Sequence, residues 1–304
     1  MVAIALHGGA GDRQRENTSS QQERELKEGI EAALHSGYEV LNKGGHCIDA
    51  TEKAVMMLEN FPSFNAGVGA ALNNKGEVEL DAGIFDGARR RTGAVTGVKR
   101  IKSPIQAARF VMDQTQQVLF MGAAAEALAE DAGLKMVENS YFITKEVREK
   151  YENDLLERGV TSCHYSNEKV VLGTVGVVAL DSKGNTCSAN STGGIMHKPA
   201  GRIGDTPICG AGMYARNGVG AAACTGHGEF FVRTVAAYEA LNKVSHGLSL
   251  DDALQAVLDD IQSLGGRGGM IGVDAKGNIS MRFTTTSMVR AAMNAQGKRI
   301  VEIW

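Results

Sequence analysis

Thr174 has the setting of a nucleophile. It follows a charged stretch and Gly173, and it heads the alternating apolar run Val175–Leu180. A threonine that opens a strand is by itself only a good β former, so its neighbours in the sequence must supply the rest. Arg202-Ile203-Gly204-Asp205 sets a guanidinium and a carboxylate in one glycine loop. Such a pair can hold the two poles of an amino acid, Arg forking onto the carboxylate and Asp receiving the ammonium. An ordinary surface ion pair, worth little, is the plain alternative. Cys224-Thr225-Gly226-His227-Gly228-Glu229 ends a strand and opens a helix. Its N–H groups and the Thr225 hydroxyl suit an oxyanion hole, or simply a helix cap.

Other chemistries find less support. Gly210-Ala211-Gly212-Met213-Tyr214-Ala215 matches the dinucleotide pattern G-x-G-x-x-A, but Arg216-Asn217-Gly218 reads as a turn where that motif needs a helix. No P-loop and no G-x-S-x-G elbow occurs. The histidines at 7, 35, 46, 164, 197, 227 and 246 form no H-x-x-x-H or H-E-x-x-H pair, which argues against a catalytic metal and reads each as a packed or surface residue. Arg89-Arg90-Arg91 is read as a solvated turn.

These residues need a scaffold. Periodicity predicts a first buried strand over 2–6, then the loop His7-Gly8-Gly9-Ala10-Gly11. Helices follow over 21–43, where Leu26, Ile30, Leu34 and Leu41 recur, and over 48–60. Strands at 77–85 and 92–101 precede helices near 104–115 and 122–131. Residues 145–158 are dense in charge and 159–169 look structureless, so 145–173 reads as a linker. Beyond it come a hairpin of 175–180 with 185–191, a glycine-rich loop over 193–212, and a small-residue strand near 218–224. A helix after Gly228, a second opened by Ser249 and Asp252, and a final hairpin over 269–286 complete the chain. Segregated helices and hairpins point to antiparallel sheets rather than βαβ units.

Composition narrows the classes. In 304 residues, 43% hydrophobic and 22% charged residues exclude disorder, and a net charge of −3 argues against a nucleic-acid partner. No apolar run reaches the ~18 residues that span a bilayer. The start lacks a basic n-region, and five cysteines, none spaced C-x-x-C, argue against a disulfide framework or zinc site, so a reducing cytoplasm is expected. Glycine, 38 residues against 4 prolines, implies tight turns and close backbone approaches.

As a set, Gly173-Thr174-Val175-Gly176, Ser191-Thr192-Gly193-Gly194, Gly201-Arg202-Ile203-Gly204-Asp205 and Thr225-Gly226-His227-Gly228-Glu229 resemble the plant-type L-asparaginase/isoaspartyl aminopeptidase family. His7-Gly8-Gly9-Ala10-Gly11, Phe64-Asn65-Ala66-Gly67 and Glu79-Leu80-Asp81-Ala82 match its N-terminal half. Two departures are Asn190, where many members carry Thr, and Val289-Arg290, where some carry Pro-Trp; the second bears on the pocket wall.

The resemblance implies an α+β N-terminal nucleophile hydrolase, a four-layer αββα sandwich of two mainly antiparallel sheets in one domain, 1–304. It implies self-cleavage between Gly173 and Thr174 into an α piece, 1–173, and a β piece, 174–304. It implies hydrolysis of L-asparagine and of N-terminal isoaspartyl dipeptides. By the same resemblance Thr174, Thr192, Thr225, Gly226 and Asn65 are catalytic. Arg202, Ile203, Gly204, Asp205, Thr225, Gly226, His227 and Gly228 bind substrate. Backbone carbonyls of Leu58, Glu59, Phe61, Phe64, Ala66 and Val68 hold a structural sodium, no cofactor serves catalysis, and two αβ units pair as a homodimer. Alternatives are a lysosomal-type glycosylasparaginase, which differs by a secretion signal, disulfides and Asp in place of Gly173, a nicotinamide oxidoreductase using the Gly210 loop, and an uncut binding module.

Overall fold

Both faces of the first strand are covered. In β1 (Ala3–Gly11), Ile4 and Leu6 enter one hydrophobic cluster while Ala3 and Ala5 enter another. That is period-two alternation with no solvent face. The computed structural model describes residues 1–158 and 173–304.

After β1 come α1 (Ser20–Asn42), α2 (Cys47–Glu59), β2 (Leu80–Asp86), β3 (Arg91–Val98), α3 (Pro104–Gln114), β4 (Leu119–Met121), α4 (Gly122–Asp131) and α5 (Lys145–Arg158). Then follow β5 (Val175–Leu180), β6 (Thr186–Thr192), β7 (Met213–Arg216), β8 (Gly220–Gly226), α6 (Gly228–Thr234), α7 (Ala236–Ser245) and α8 (Leu250–Ser263). The chain closes on β9 (Gly268–Asp274), β10 (Ile279–Phe283), β11 (Ser287–Asn294) and β12 (Arg299–Glu302).

Eight strands form one sheet in the order β12-β11-β1-β5-β6-β2-β3-β4, and four form another, β10-β9-β8-β7. Every ladder is antiparallel except β3–β4. Helices α1, α2 and α3 bury Leu34, Leu58 and Ile105 against the outer face of the large sheet. Its inner face mixes Ala3, Ala5 and Ala292 with Phe85, Val178 and Leu180, and it packs on the small sheet through β8, which carries the run Ala221-Ala222-Ala223. Leu254, Val257 and Ile261 of α8 cover the far side of the small sheet. This is the expected α+β sandwich with two mainly antiparallel sheets.

Four sequence expectations need correction. The charged stretch 145–158 is a helix: the Thr144 hydroxyl caps it at Val147 N, Lys145 pairs with Glu149, and buried Tyr151 stacks on His197. Capping, i,i+4 pairing and one buried ring outweigh a composition that suggested a linker; the rest of that linker, 159–172, lies outside the described residues. The 269–286 hairpin is not last, because β11 and β12 follow and β11 pairs with β1. The stretch His7–Gly11, expected as a loop, is the end of β1, whereas the Gly210 motif runs into a strand, β7, and then a turn, in keeping with the reading against a dinucleotide site. Finally, Cys47 and Cys187 form a disulfide across a sequence separation of 140. Local spacing could not reveal it; α2 packs on β5 and β6 and brings the two Cα atoms to 5.7 Å.

Candidate active site

The site assembles where β1, β5, β6 and β8 end together. Antiparallel register pairs β1 with β5 as far as His7 opposite Gly176, and β1 then bulges between His7 and Ala10. Beyond the bulge, the end of β1 still pairs with β11 and reaches the small sheet, where Ala10 N donates to the Thr225 hydroxyl at 3.3 Å. His7 stays behind, wholly buried, with Nδ1 at 3.0 Å from the Thr174 carbonyl. Burial holds the His7 pKa down at about 3 against that hydrogen bond, so the ring is neutral and Nδ1–H donates to the carbonyl.

Thr174 is buried at the head of β5. Its hydroxyl donates to Thr192 Oγ1 at 3.1 Å and lies 3.4 Å from Thr206 Oγ1. Thr192 ends β6 and also accepts from Gly194 N at 2.9 Å. Asn65 braces the same loop from the N-terminal half: its Nδ2 donates to Gly194 O at 2.6 Å, and its Oδ1 accepts from Ala71 N at 2.7 Å. Thr174, Thr192 and Asn65, more than a hundred residues apart at the extremes, thus lie in one hydrogen-bonded group.

A small cavity of about 10 Å³ is lined by Gly173, Thr174, Thr192, Arg202, Asp205 and Gly226, among others. Asp205 is buried, and its Oδ2 has no hydrogen-bond partner among the described residues. Burial pushes its pKa up to about 7, with the Arg202 charge opposing. Gly228 permits this arrangement, since a Cβ there would lie 2.8 Å from Asp205 Oδ1 and 2.9 Å from its amide. Arg202 does not pair with Asp205. Its guanidinium forks onto Glu229, with Nε and Nη2 each 2.9 Å from a carboxylate oxygen. Glu229 therefore fixes Arg202. It was quoted in the motif but not predicted as a site residue.

Ile203 is half exposed, Gly204 lines the small cavity, and His227 precedes α6 with its amide on Arg267 O. His7 and Thr206 were also missed: the first reads as a packed or surface histidine, and the second has no motif of its own. The buried motif residue Asp81 instead accepts from Gly97 N and faces Lys198 at 3.9 Å, while Lys198 donates to Glu79 O. Val289, at one of the two departures, lines the larger cavity beside Gly173.

The segment 58–68 leads from the last turn of α2 to the loop that bears Asn65. The buried Glu59 carboxylate turns away, accepting from Ser103, Ser191 and Ile105 N, so it does not serve the loop. The Glu59 carbonyl accepts from Val68 N at 2.8 Å and sits against Gly67, whose φ of +58° and missing Cβ keep the backbone tight. The Leu58 and Phe61 carbonyls likewise accept, from the amides of Phe61 and Phe64 at 3.2 Å each. Among the described residues the grouping with metal-ligand spacing is His46, Cys47 and Cys187, at the other end of β6 from Thr192, and its two sulfurs are joined to each other.

Residues 1–303 match the family model described as asparaginase. This chain belongs to the asparaginase family. It is 42% identical over 298 residues to the isoaspartyl peptidase of Escherichia coli (strain K12), covering 95% of this chain and 92% of that one. It is 41% identical over 293 residues to the isoaspartyl peptidase/L-asparaginase of Mus musculus (96% and 88% covered) and 38% over 294 to that of Homo sapiens (96% and 92%). An asparaginase-family chain of this architecture is a hydrolase of the N-terminal nucleophile type. No described helix is long and apolar enough to cross a membrane.

Proposed function

We propose that this asparaginase-family chain matures by cutting itself between Gly173 and Thr174, and then hydrolyses L-asparagine and N-terminal isoaspartyl dipeptides. The observation that carries this is the Thr174 hydroxyl, held by Thr192 at 3.1 Å in the cavity that Gly173, Arg202 and Asp205 share.

Scission matters chemically because an amide nitrogen is no base. Once freed, the Thr174 α-amine titrates near about 7.7–8.0 and can take the proton from its own hydroxyl. Oγ then attacks the side-chain carbonyl of the substrate, and the C–N bond breaks, releasing ammonia or the shortened peptide with the proton returned from the amine. Water hydrolyses the β-aspartyl ester in a second step and regenerates Thr174. Thr225 Oγ and Gly226 N–H serve the oxyanion, a role in which one donor contributes roughly 3–4 kcal/mol. Asp205 receives the substrate α-ammonium. Arg202, fixed by Glu229, receives the α-carboxylate, and the Ile203-Gly204 and His227-Gly228 backbone shapes the floor. Asn65 and Thr192 orient the nucleophile.

The pieces stay together because β5 and β6 lie between β1 and β2 in one sheet. A sodium ion on the carbonyls of Leu58, Glu59, Phe61, Phe64, Ala66 and Val68 supplies a structural anchor to the loop that bears Asn65, and no reaction chemistry. Exposed Val118, Leu119 and Met121 at the open β4 edge support a pairing of two αβ units. The Cys47–Cys187 disulfide takes away the cysteine argument for a reducing cytoplasm. The test is intact mass of the purified and reduced protein with time, alongside release assays on asparagine and β-aspartyl-leucine. Two fragments and release from both substrates are expected; full activity in an uncut chain overturns the reading.

A further inference from the structure

A second cavity, of about 170 Å³, adjoins the first, and Gly173 lines both. If the bond after Gly173 opens, the residue that separates the two cavities becomes a chain end, and they can join into one cleft. The small cavity, with Arg202 and Asp205, takes the aspartyl part of the substrate. The larger one then lies on the other side of the scissile bond, where the leaving group must go.

Its chemistry differs from that of the small cavity. Arg13 and Lys150 line it, and no Asp or Glu does among the described residues. Pro62, Phe64, Met196 and Val289 give it an apolar wall. Arg13 is half-buried, and its guanidinium makes no hydrogen bond or ion pair among the described residues. The neighbouring carboxylate is committed elsewhere, since Asp12 is paired with both terminal nitrogens of Arg267. The Arg13 backbone is fixed by the Thr286 hydroxyl, which donates to its carbonyl at 3.0 Å. A partly desolvated cation on a held backbone, with no anion of its own among the described residues and beside an apolar wall, suits a carboxylate attached to an apolar body.

We propose that Arg13 binds the free α-carboxylate of the amino acid that leaves from an isoaspartyl dipeptide, its side chain resting on Phe64, Met196 and Val289. Ammonia, the leaving group of asparagine, has no carboxylate to offer. Arg13 therefore sets preference between the two substrates without touching the reacting atoms. This rests on the hydrolase reading above.

The experiment compares asparagine, β-aspartyl-leucine and β-aspartyl-leucinamide on the mature enzyme and on Arg13→Ala and Arg13→Lys. Arg13→Ala is expected to lower the ratio of dipeptide to asparagine kcat/KM about tenfold, through KM, with Arg13→Lys recovering part of it. On the unaltered enzyme alone, the amide is expected to be the poorer dipeptide by a similar factor. An unchanged ratio in Arg13→Ala, or equal turnover of acid and amide, overturns the proposal. Loss of all three activities in the unaltered enzyme refutes the parent reading as well, whereas a failure confined to the dipeptide comparison refutes only the role of Arg13.

Discussion

The Thr192 oxygen receives two hydrogens, one from the Thr174 hydroxyl at 3.1 Å and one from the Gly194 amide at 2.9 Å. Because the Gly194 amide fixes where that oxygen sits, Thr192 fixes which way the Thr174 oxygen lone pairs point. Thr192→Val keeps the shape and removes the acceptor. We expect kcat on asparagine to fall about 10- to 100-fold with KM little changed, and Thr192→Ser to retain most activity. Steady-state kinetics on both variants checks this.

Glu229 acts one step further out. Its two oxygens hold the Arg202 fork at 2.9 Å each. Glu229→Ala leaves the guanidinium in place chemically but unpinned, so KM for asparagine is expected to rise about tenfold with kcat nearly unchanged. A fall in kcat alone would contradict this.

Asp205 gives a pH dependence with a definite sign. Burial raises its pKa from 3.8 to about 7 in the native protein. Between those values the folded state keeps a proton that the unfolded chain releases. This contribution to stability is therefore present in acid and lost as pH rises through about 7, by at most roughly 4 kcal/mol. Asp205→Asn removes the titration. Denaturant unfolding of the two proteins at pH 5 and pH 8 is expected to show the variant gaining relative stability at the higher pH. A constant difference would count against a buried carboxyl whose Oδ2 has no hydrogen-bond partner among the described residues.

Much of this arrangement could be read from residue patterns, and what could not has identifiable causes. Leu26, Ile30, Leu34 and Leu41 gave α1 its face, and the alternation of Val175–Leu180 gave β5, because both periods are local. Thr206 had no such signal: its hydroxyl matters only because the loop after Asp205 folds back to within 3.4 Å of Thr174. The sequence leaves His7 as a packed or surface residue; it is packed, and its ring holds the Thr174 carbonyl across 167 residues of sequence. Arg202 and Asp205 share one loop in the sequence, as the two poles of an amino-acid site or as a plain ion pair; in space Arg202 forks onto Glu229, and Asp205 Oδ2 has no hydrogen-bond partner among the described residues. Charge density misled at α5, where one buried tyrosine and a threonine cap were enough to order a helix.

The Cys47–Cys187 pair lies on either side of the proposed cut. Matured protein should therefore run as one species on a denaturing gel without reductant and as two with it. Cys47→Ser should give two bands under both conditions. Two bands without reductant in the unaltered protein would mean that the thiols are free in solution.

The central claim is tested most directly by the amino-terminal sequence of the shorter fragment. Matured protein is expected to yield Thr-Val-Gly, the residues Thr174, Val175 and Gly176, and Thr174→Ala to yield no fragment and no ammonia from asparagine. A different first residue in fully active protein, or an active Thr174→Ala variant, would contradict the account.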